Sequence, residues 1–237
     1  MRALEKELRQ GLDALALTLD DGQISHLLDY LDLIRKWTKV YNLTAVRDPA
    51  EMLTHHLLDS LAVISPLQAQ LAGLRSQLNH QETRPDADAV LPTAIRLLDV
   101  GSGAGLPGVV IAICCPGIKV DCVDTVAKKA AFIRQVAATL KLPNLRGLHA
   151  RVESLTDKYR VISSRAFASL ADFTHWSSAA LAEQGVWLAM KGKHPADEIT
   201  ALPADVVVFH VEQLAVPGLS AERCIVWLRR AEEGIRI

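Results

Sequence analysis

Cysteine is scarce and badly spaced for metal: the four cysteines stand at 114, 115, 122 and 224. Neither a zinc site nor a disulfide scaffold can be built from that spacing, so they read as small core residues of a reducing compartment. An excess of either charge is also lacking. Formal net charge is -1 and the sequence pI about 6.7, which excludes the broad basic face of an indiscriminate nucleic-acid binder and leaves only local patches for RNA. The start of the chain, with Arg2, Glu5, Lys6, Glu7 and Arg9, has no apolar signal-peptide core. One uncharged run separates Asp99 from Lys119, but five glycines and two prolines interrupt it and argue against a membrane span. Internal repeats and low-complexity tracts are missing too. The expectation is a cytoplasmic chain whose 237 residues, half hydrophobic and 22% charged, suffice for one substantial core and one catalytic domain.

The uncharged run contains the stretch that organises the rest, Leu97-Leu98-Asp99-Val100-Gly101-Ser102-Gly103-Ala104-Gly105-Leu106-Pro107-Gly108. An apolar run from Ile95 ends in Asp99-Val100, three glycines alternate, and Pro107 precedes a second apolar run. That order predicts a buried parallel strand, a glycine turn and a helix with proline in its first turn. The turn should let a ligand approach the backbone closely, and the helix N-terminus should offer free N–H groups. No lysine lies between Gly101 and Ile118, so this is not the phosphate loop of an NTPase. The dinucleotide fingerprint matches Gly101 and Gly103 but meets Leu106 where a small residue belongs, which counts against NAD. The Asp-x-Gly-x-Gly-x-Gly spacing instead resembles motif I of S-adenosylmethionine (SAM) methyltransferases. That resemblance implies cofactor contacts from Asp99, Gly101, Ser102, Gly103, Gly105 and Leu106.

The front of the chain, residues 1–65, reads as a helical extension. Leu4, Leu8, Leu12, Leu15 and Leu19 recur at helical spacing, and Ile24, Leu27, Leu28, Leu31, Ile34 and Trp37 form a stronger stripe. Asp48-Pro49-Ala50-Glu51 is a helix start, and the helix it opens should put Met52, Leu53, His56, Leu57, Leu61 and Ile64 on one side. Residues 66–94 read as a linker or insertion, most polar over Asn79 to Asp88. From 95 to 237, strands at Ile95 to Val100, Val120 to Val123, Leu145 to Ala150, Val161 to Ser163 and Val186 to Met190 alternate with helical patterns. Such alternation means a doubly wound, mostly parallel α/β sheet. Val206 to Leu214 and Cys224 to Arg230 are too close for a crossover helix and must pair antiparallel. A Rossmann-like sheet closed by a reversed hairpin resembles the seven-stranded SAM-dependent methyltransferase fold.

Asp124 follows the second strand, where doubly wound sheets place an acid on a ribose; it suits SAM as readily as NAD. Thr125 could instead cap the helix that follows. Val152-Glu153, past the third strand, is where this fold places residues against an adenine, and Arg165 leaves the fourth strand at the carboxyl edge.

Together these segments resemble the RsmG family, also called GidB, bacterial methyltransferases acting on N7 of a guanine in small-subunit (16S) ribosomal RNA. The matching blocks are Tyr41 to Asp48, His56-Leu57-Leu58-Asp59-Ser60, Asp99 to Gly108, Asp124 with Lys128, Arg151-Val152-Glu153, Ser164 to Leu170, Lys191-Gly192 and Glu222-Arg223. The resemblance runs from about Gln23 to Leu228. Residues 70–94 depart from it as an insertion, and Ala104 stands where proline is frequent. It implies SAM-binding roles for Gly101, Leu106, Val152, Glu153 and Arg165, and as partner 16S rRNA or a 30S assembly particle bound by a monomer, without metal or membrane.

N7 of guanine has an in-plane lone pair and no proton to lose, so proximity and alignment suffice and no catalytic base is expected. Other acceptors lack their motifs here. Ser163-Ser164-Arg165-Ala166 replaces the Asp/Asn-Pro-Pro-aromatic turn of amine methylation, no cysteine lies near the fourth or fifth strand end for C5 chemistry, and Lys191 lacks the aspartate of ribose 2′-O transfer. Candidates for RNA contact are Asn42, Arg47, His55, Lys128, Lys191 and Lys193, against the plainer alternative that Lys128 and Lys129 only solvate a helix and His56 belongs to the core. A SAM methyltransferase of a small molecule or protein, and a non-catalytic SAM-binding assembly factor, are the competing classes.

Overall fold

The computed structural model describes residues 2–81 and 95–231. Helix α1 (Arg2–Ala14) is followed by α2 (Asp21–Tyr41), which opens on a capping box. The Asp20 carboxylate accepts from the Gln23 N–H while the Asp20 N–H donates to Gln23 Oε1. Helix α2 closes on Asn42, held in the left-handed region at φ 52°. As predicted, Asp48 starts α3 (Pro49–Met52), its carboxylate accepting from the Ala50 and Glu51 N–H groups.

The chain then departs from the regular helix expected. Leu53–Leu58 is π-helical and is followed by α4 (Asp59–Leu61). The wider turn buries His56, Leu57, Leu58 and Asp59 in succession and leaves His55 exposed, a burial order that no 3.6-residue stripe produces. A second correction concerns the linker: Ile64–Gln81 is helix α5, burying Leu67 and Leu71 one turn apart. Pro66 lies in its first turn, where a missing N–H breaks no helical bond. The rest of the expected linker, residues 82–94, lies outside the described residues.

The α/β part is a seven-stranded sheet of β1 (Arg96–Val100), β2 (Lys119–Asp124), β3 (Leu145–His149), β4 (Tyr159–Arg165), β5 (Leu181–Lys191), β6 (Val206–Leu214) and β7 (Arg223–Arg230), ordered 3-2-1-4-5-7-6. The first five strands pair in parallel, while β7 runs antiparallel to both β5 and β6, the reversed hairpin the sequence predicts. Helices α6 (Gly108–Cys114) and α7 (Ala127–Thr139) cover one face, α8 (Leu170–Ser177) the other, and α9 (Ala196–Thr200) follows β5. Leu8, Leu27 and Leu57 of the front helices share one continuous core with Val109, Val110 and Phe132, so the extension caps the α6/α7 face. Strand order reverses between β1 and β4, and a crevice opens there at the carboxyl ends.

Candidate active site

The glycine turn leaves β1 at this crevice. Gly101, Gly103 and Gly105 have φ of 65°, 59° and 92°, conformations that L side chains avoid. Most of the N–H groups of the turn, expected to be free, are already bonded. Gly101 and Ser102 donate to the Val123 carbonyl, Gly105 and Leu106 to that of Ser102, and Val109 to that of Gly105. The Gly103 N–H donates to Asp124 Oδ2 and the Gly108 N–H to Asp99 Oδ2. A turn with most of its donors already bonded is poorly suited to a phosphate, which counts further against the dinucleotide alternative. It still leaves open space: a Cβ added to Gly103 would meet nothing closer than 3.9 Å.

Asp99 lies beneath the turn, fully buried, and also accepts from Ser163 Oγ at 2.9 Å. Burial pushes its carboxyl up to about 6, against the pull of Ser163 and Gly108. Asp124 is nearly buried but lines a cavity of about 490 Å3, walled also by Gly101, Thr125, Val152, Glu153 and Trp176. Its Oδ1 accepts from the Val126 N–H at 2.8 Å in the turn ahead of α7, whose N-cap is Val126 and carries no side-chain cap bond, correcting the capping role considered for Thr125.

A second cavity of about 500 Å3 meets the first at Gly101 and Ala166. Ala166 is left-handed at φ 52°, and the Phe167 ring lies over Gly101 so closely that an added Cβ would come within 2.3 Å of Cδ2. In the wall of the second cavity Asp59, 2% exposed, binds two arginines: Arg165 Nη1 at 2.8 Å and Arg223 Nε at 2.8 Å. Arg165 Nη1 also donates to the His55 carbonyl. Nearby, Thr44 Oγ1 meets His56 Nε2 at 2.9 Å, while His56 Nδ1 is buried without a partner. Burial, then the Arg165 charge, lowers the His56 pKa, so the ring is neutral near pH 7. Lys191 is held by Glu198 at 2.7 Å and by the Ala168 carbonyl at 2.9 Å.

A family model described as GidB, rRNA small subunit methyltransferase G, matches residues 23–72 and 87–226. The chain belongs to this family. A curated relative from Albidiferax ferrireducens, "Ribosomal RNA small subunit methyltransferase G", is 74% identical over 98% of this chain and 99% of that protein. One of the same name from a Polaromonas species is 66% identical over 97% and 95%. Among solved structures, TrmN from Thermus thermophilus aligns with a TM-score of 0.47 and 21% identity over 58% of this chain and 44% of that one.

Within this GidB-family chain, most of the sequence-predicted cofactor residues converge. Gly101, Asp124, Thr125, Val152 and Glu153 line the first cavity, and Gly101, Ser102, Gly103, Leu106 and Arg165 the second. Asp99 and Gly105 line neither; they support the turn from below, Gly105 pressed against Val109 and Ile133. Of the RNA candidates, His55 and Lys191 line the second cavity, whereas Asn42, Arg47, Lys128 and Lys193 do not. Arg47 Nη2 donates to Asn42 Oδ1 at 2.7 Å, fixing the end of α2. Lys129, not Lys128, reaches the first cavity, 3.5 Å from Asp124. Sequence reasoning assigned no role to Asp59 or Arg223, although both lie in quoted blocks. The available signal was an aspartate inside the apolar run Leu57-Leu58-Asp59-Ser60-Leu61, which must bring a cation with it when buried.

The residues present fit SAM. The cofactor carries a sulfonium, an ammonium, a carboxylate and ribose hydroxyls but no phosphate, and the site offers carboxylates at Asp124 and Glu153 and open space at Gly103.

Proposed function

We propose that this chain transfers a methyl group from SAM to N7 of a guanine in 16S ribosomal RNA. The observation that carries the proposal is the second cavity: it adjoins the cofactor side at Gly101 and Ala166, and its buried carboxylate and its lysine are both held in ion pairs. Asp59 is tied to two arginines and Lys191 to Glu198, while His56 Nε2 meets Thr44 and the exposed His55 also lines the cavity. Transfer to N7 asks for none of them as a base, because that acceptor has a free lone pair and no proton to remove. When bound, SAM supplies an electrophilic methyl on a sulfonium. Asp124 would accept from the ribose hydroxyls, Val152 and Glu153 would lie against the adenine, and Arg165, oriented by Asp59, would lie where cofactor and guanine meet. Family membership supports the ribosomal substrate, and a cytoplasmic monomer acting on 16S rRNA or a 30S assembly particle accords with it. Catalysis then rests on proximity and alignment.

The test is incubation of the purified protein with tritiated-methyl SAM and 30S particles from a strain lacking the gene. Label in 16S RNA is expected. Label confined to protein or small molecules, or binding of SAM without transfer, would contradict the proposal.

A further inference from the structure

Charge is distributed along this chain very unevenly for a net of -1. Residues 33–47 contain Arg35, Lys36, Lys39 and Arg47 and no acid; residues 125–152 contain six cations, from Lys128 to Arg151, and no acid. The acids flanking these segments are largely engaged within the fold. Asp48 caps α3, while Asp32 neutralises Arg35 and Lys36, Asp124 lies 3.5 Å from Lys129 and Asp121 binds Arg146, so four of the counted cations are themselves paired. Lys39 and Lys128 are exposed and make no ion pair among the described residues.

The two segments pack on each other through aromatic rings. Phe132 of α7 lies between Tyr30 and Trp37 of α2, with centroids 6.4 and 5.2 Å away, and Trp37 contacts Tyr41 at 4.9 Å. The inner end of this series is anchored in the glycine turn, where Tyr30 Oη donates to the Ala104 carbonyl at 2.6 Å. The outer end is open: Tyr41 is 42% and Val40 71% exposed. Two residues beyond Tyr41 the chain enters the wall of the second cavity at Leu43 and Thr44.

From this we infer that the exposed end of α2, with Tyr41 as a stacking platform and the Lys39 and Lys128 side chains as phosphate contacts, is the surface on which single-stranded RNA next to the target nucleotide docks. The inference rests on the proposed RNA methyl transfer and adds where the substrate is held. An aromatic ring stacks on any unpaired base, and flanking cations neutralise its backbone. The ring series back to the turn fixes this platform relative to the cofactor.

The test compares Tyr41→Ala, Tyr41→Phe, Lys39→Glu and Lys128→Glu with Lys119→Glu, a charge reversal at the amino end of β2, in methyl transfer to 30S particles lacking the modification. Tyr41→Ala should raise KM for the particle about tenfold with kcat within about twofold, and Tyr41→Phe should restore it. Each lysine reversal on α2 or α7 should raise KM and flatten its salt dependence, while Lys119→Glu stays at the wild-type value. SAM affinity and melting temperature should stay unchanged throughout. Wild-type KM in both Tyr41→Ala and Lys39→Glu, with the parent protein active, would overturn the docking surface. A parent protein that binds SAM and labels no RNA would overturn the underlying function instead.

Discussion

Asp99 and Asp124 lie near the ends of adjacent strands and meet different environments. Asp99 is sealed below the turn with its carboxyl raised to about 6, whereas an unfolded aspartate titrates near 3.8. The folded state therefore keeps a proton that the unfolded state releases. The stabilising contribution is complete below about pH 4 and is lost as pH rises through about 6, by an amount on the order of 3 kcal/mol. Asp99→Asn retains an acceptor for Gly108 and should remove that slope. Urea midpoints of variant and parent should diverge in the variant's favour between about pH 4 and 7, and parallel curves would show that Asp99 is not perturbed. Asp124 faces the cavity but also holds the Gly103 and Val126 N–H groups. Asp124→Ala should weaken SAM binding by about 1 to 3 kcal/mol, and Asp124→Asn by less, because one acceptor remains. Calorimetric affinities in that order are expected; equal affinity in the Ala variant and the parent would remove the ribose role.

The front helices join the sheet through Asp59, which reaches Arg165 at the end of β4 and Arg223 at the start of β7. Removing the carboxylate leaves two cations facing each other in a half-buried wall, so Asp59→Ala should destabilise the fold by about 3 to 5 kcal/mol. Arg165→Ala leaves Asp59 paired with Arg223 and should shift the melting temperature far less, while methyl transfer falls strongly. Equal destabilisation by both variants, measured calorimetrically, would mean that Asp59 is not shared. These elements also show what the sequence makes legible. The βα alternation and the reversed hairpin were readable because apolar runs and short gaps constrain them directly. The π-helical turn that buries Asp59 beside Leu58 was not, since periodicity arguments presume 3.6 residues per turn. Helix α5 was hidden by Pro66 and Gly73, which look like breakers although the structure accommodates both within the helix. The glycine turn was recognisable as a cofactor turn, but the bonds its donors make to Val123 and Asp124 leave no mark on local spacing. Asp59 and Arg223 meet across 164 positions of sequence, a distance that no local pattern bridges.

Over the whole molecule, a single crevice at the β1/β4 reversal gathers the glycine turn, the Asp59 arginines and the inner end of the α2 ring series. Lys39 and Lys128, exposed in acid-free segments of a nearly neutral chain, suit local contact with a single structured RNA target. The central claim is the accepting atom: N7 of guanine has a free lone pair and no proton to remove, which suits a cavity whose Asp59 and Lys191 are held in ion pairs. The most direct measurement is methyl transfer to 30S particles reconstituted with 16S RNA carrying 7-deazaguanine at the labelled site. Replacing N7 by carbon leaves the exocyclic amine and the ribose hydroxyl available, so the account predicts that incorporation disappears while particle binding persists. Continued methyl incorporation into the deaza RNA would contradict it.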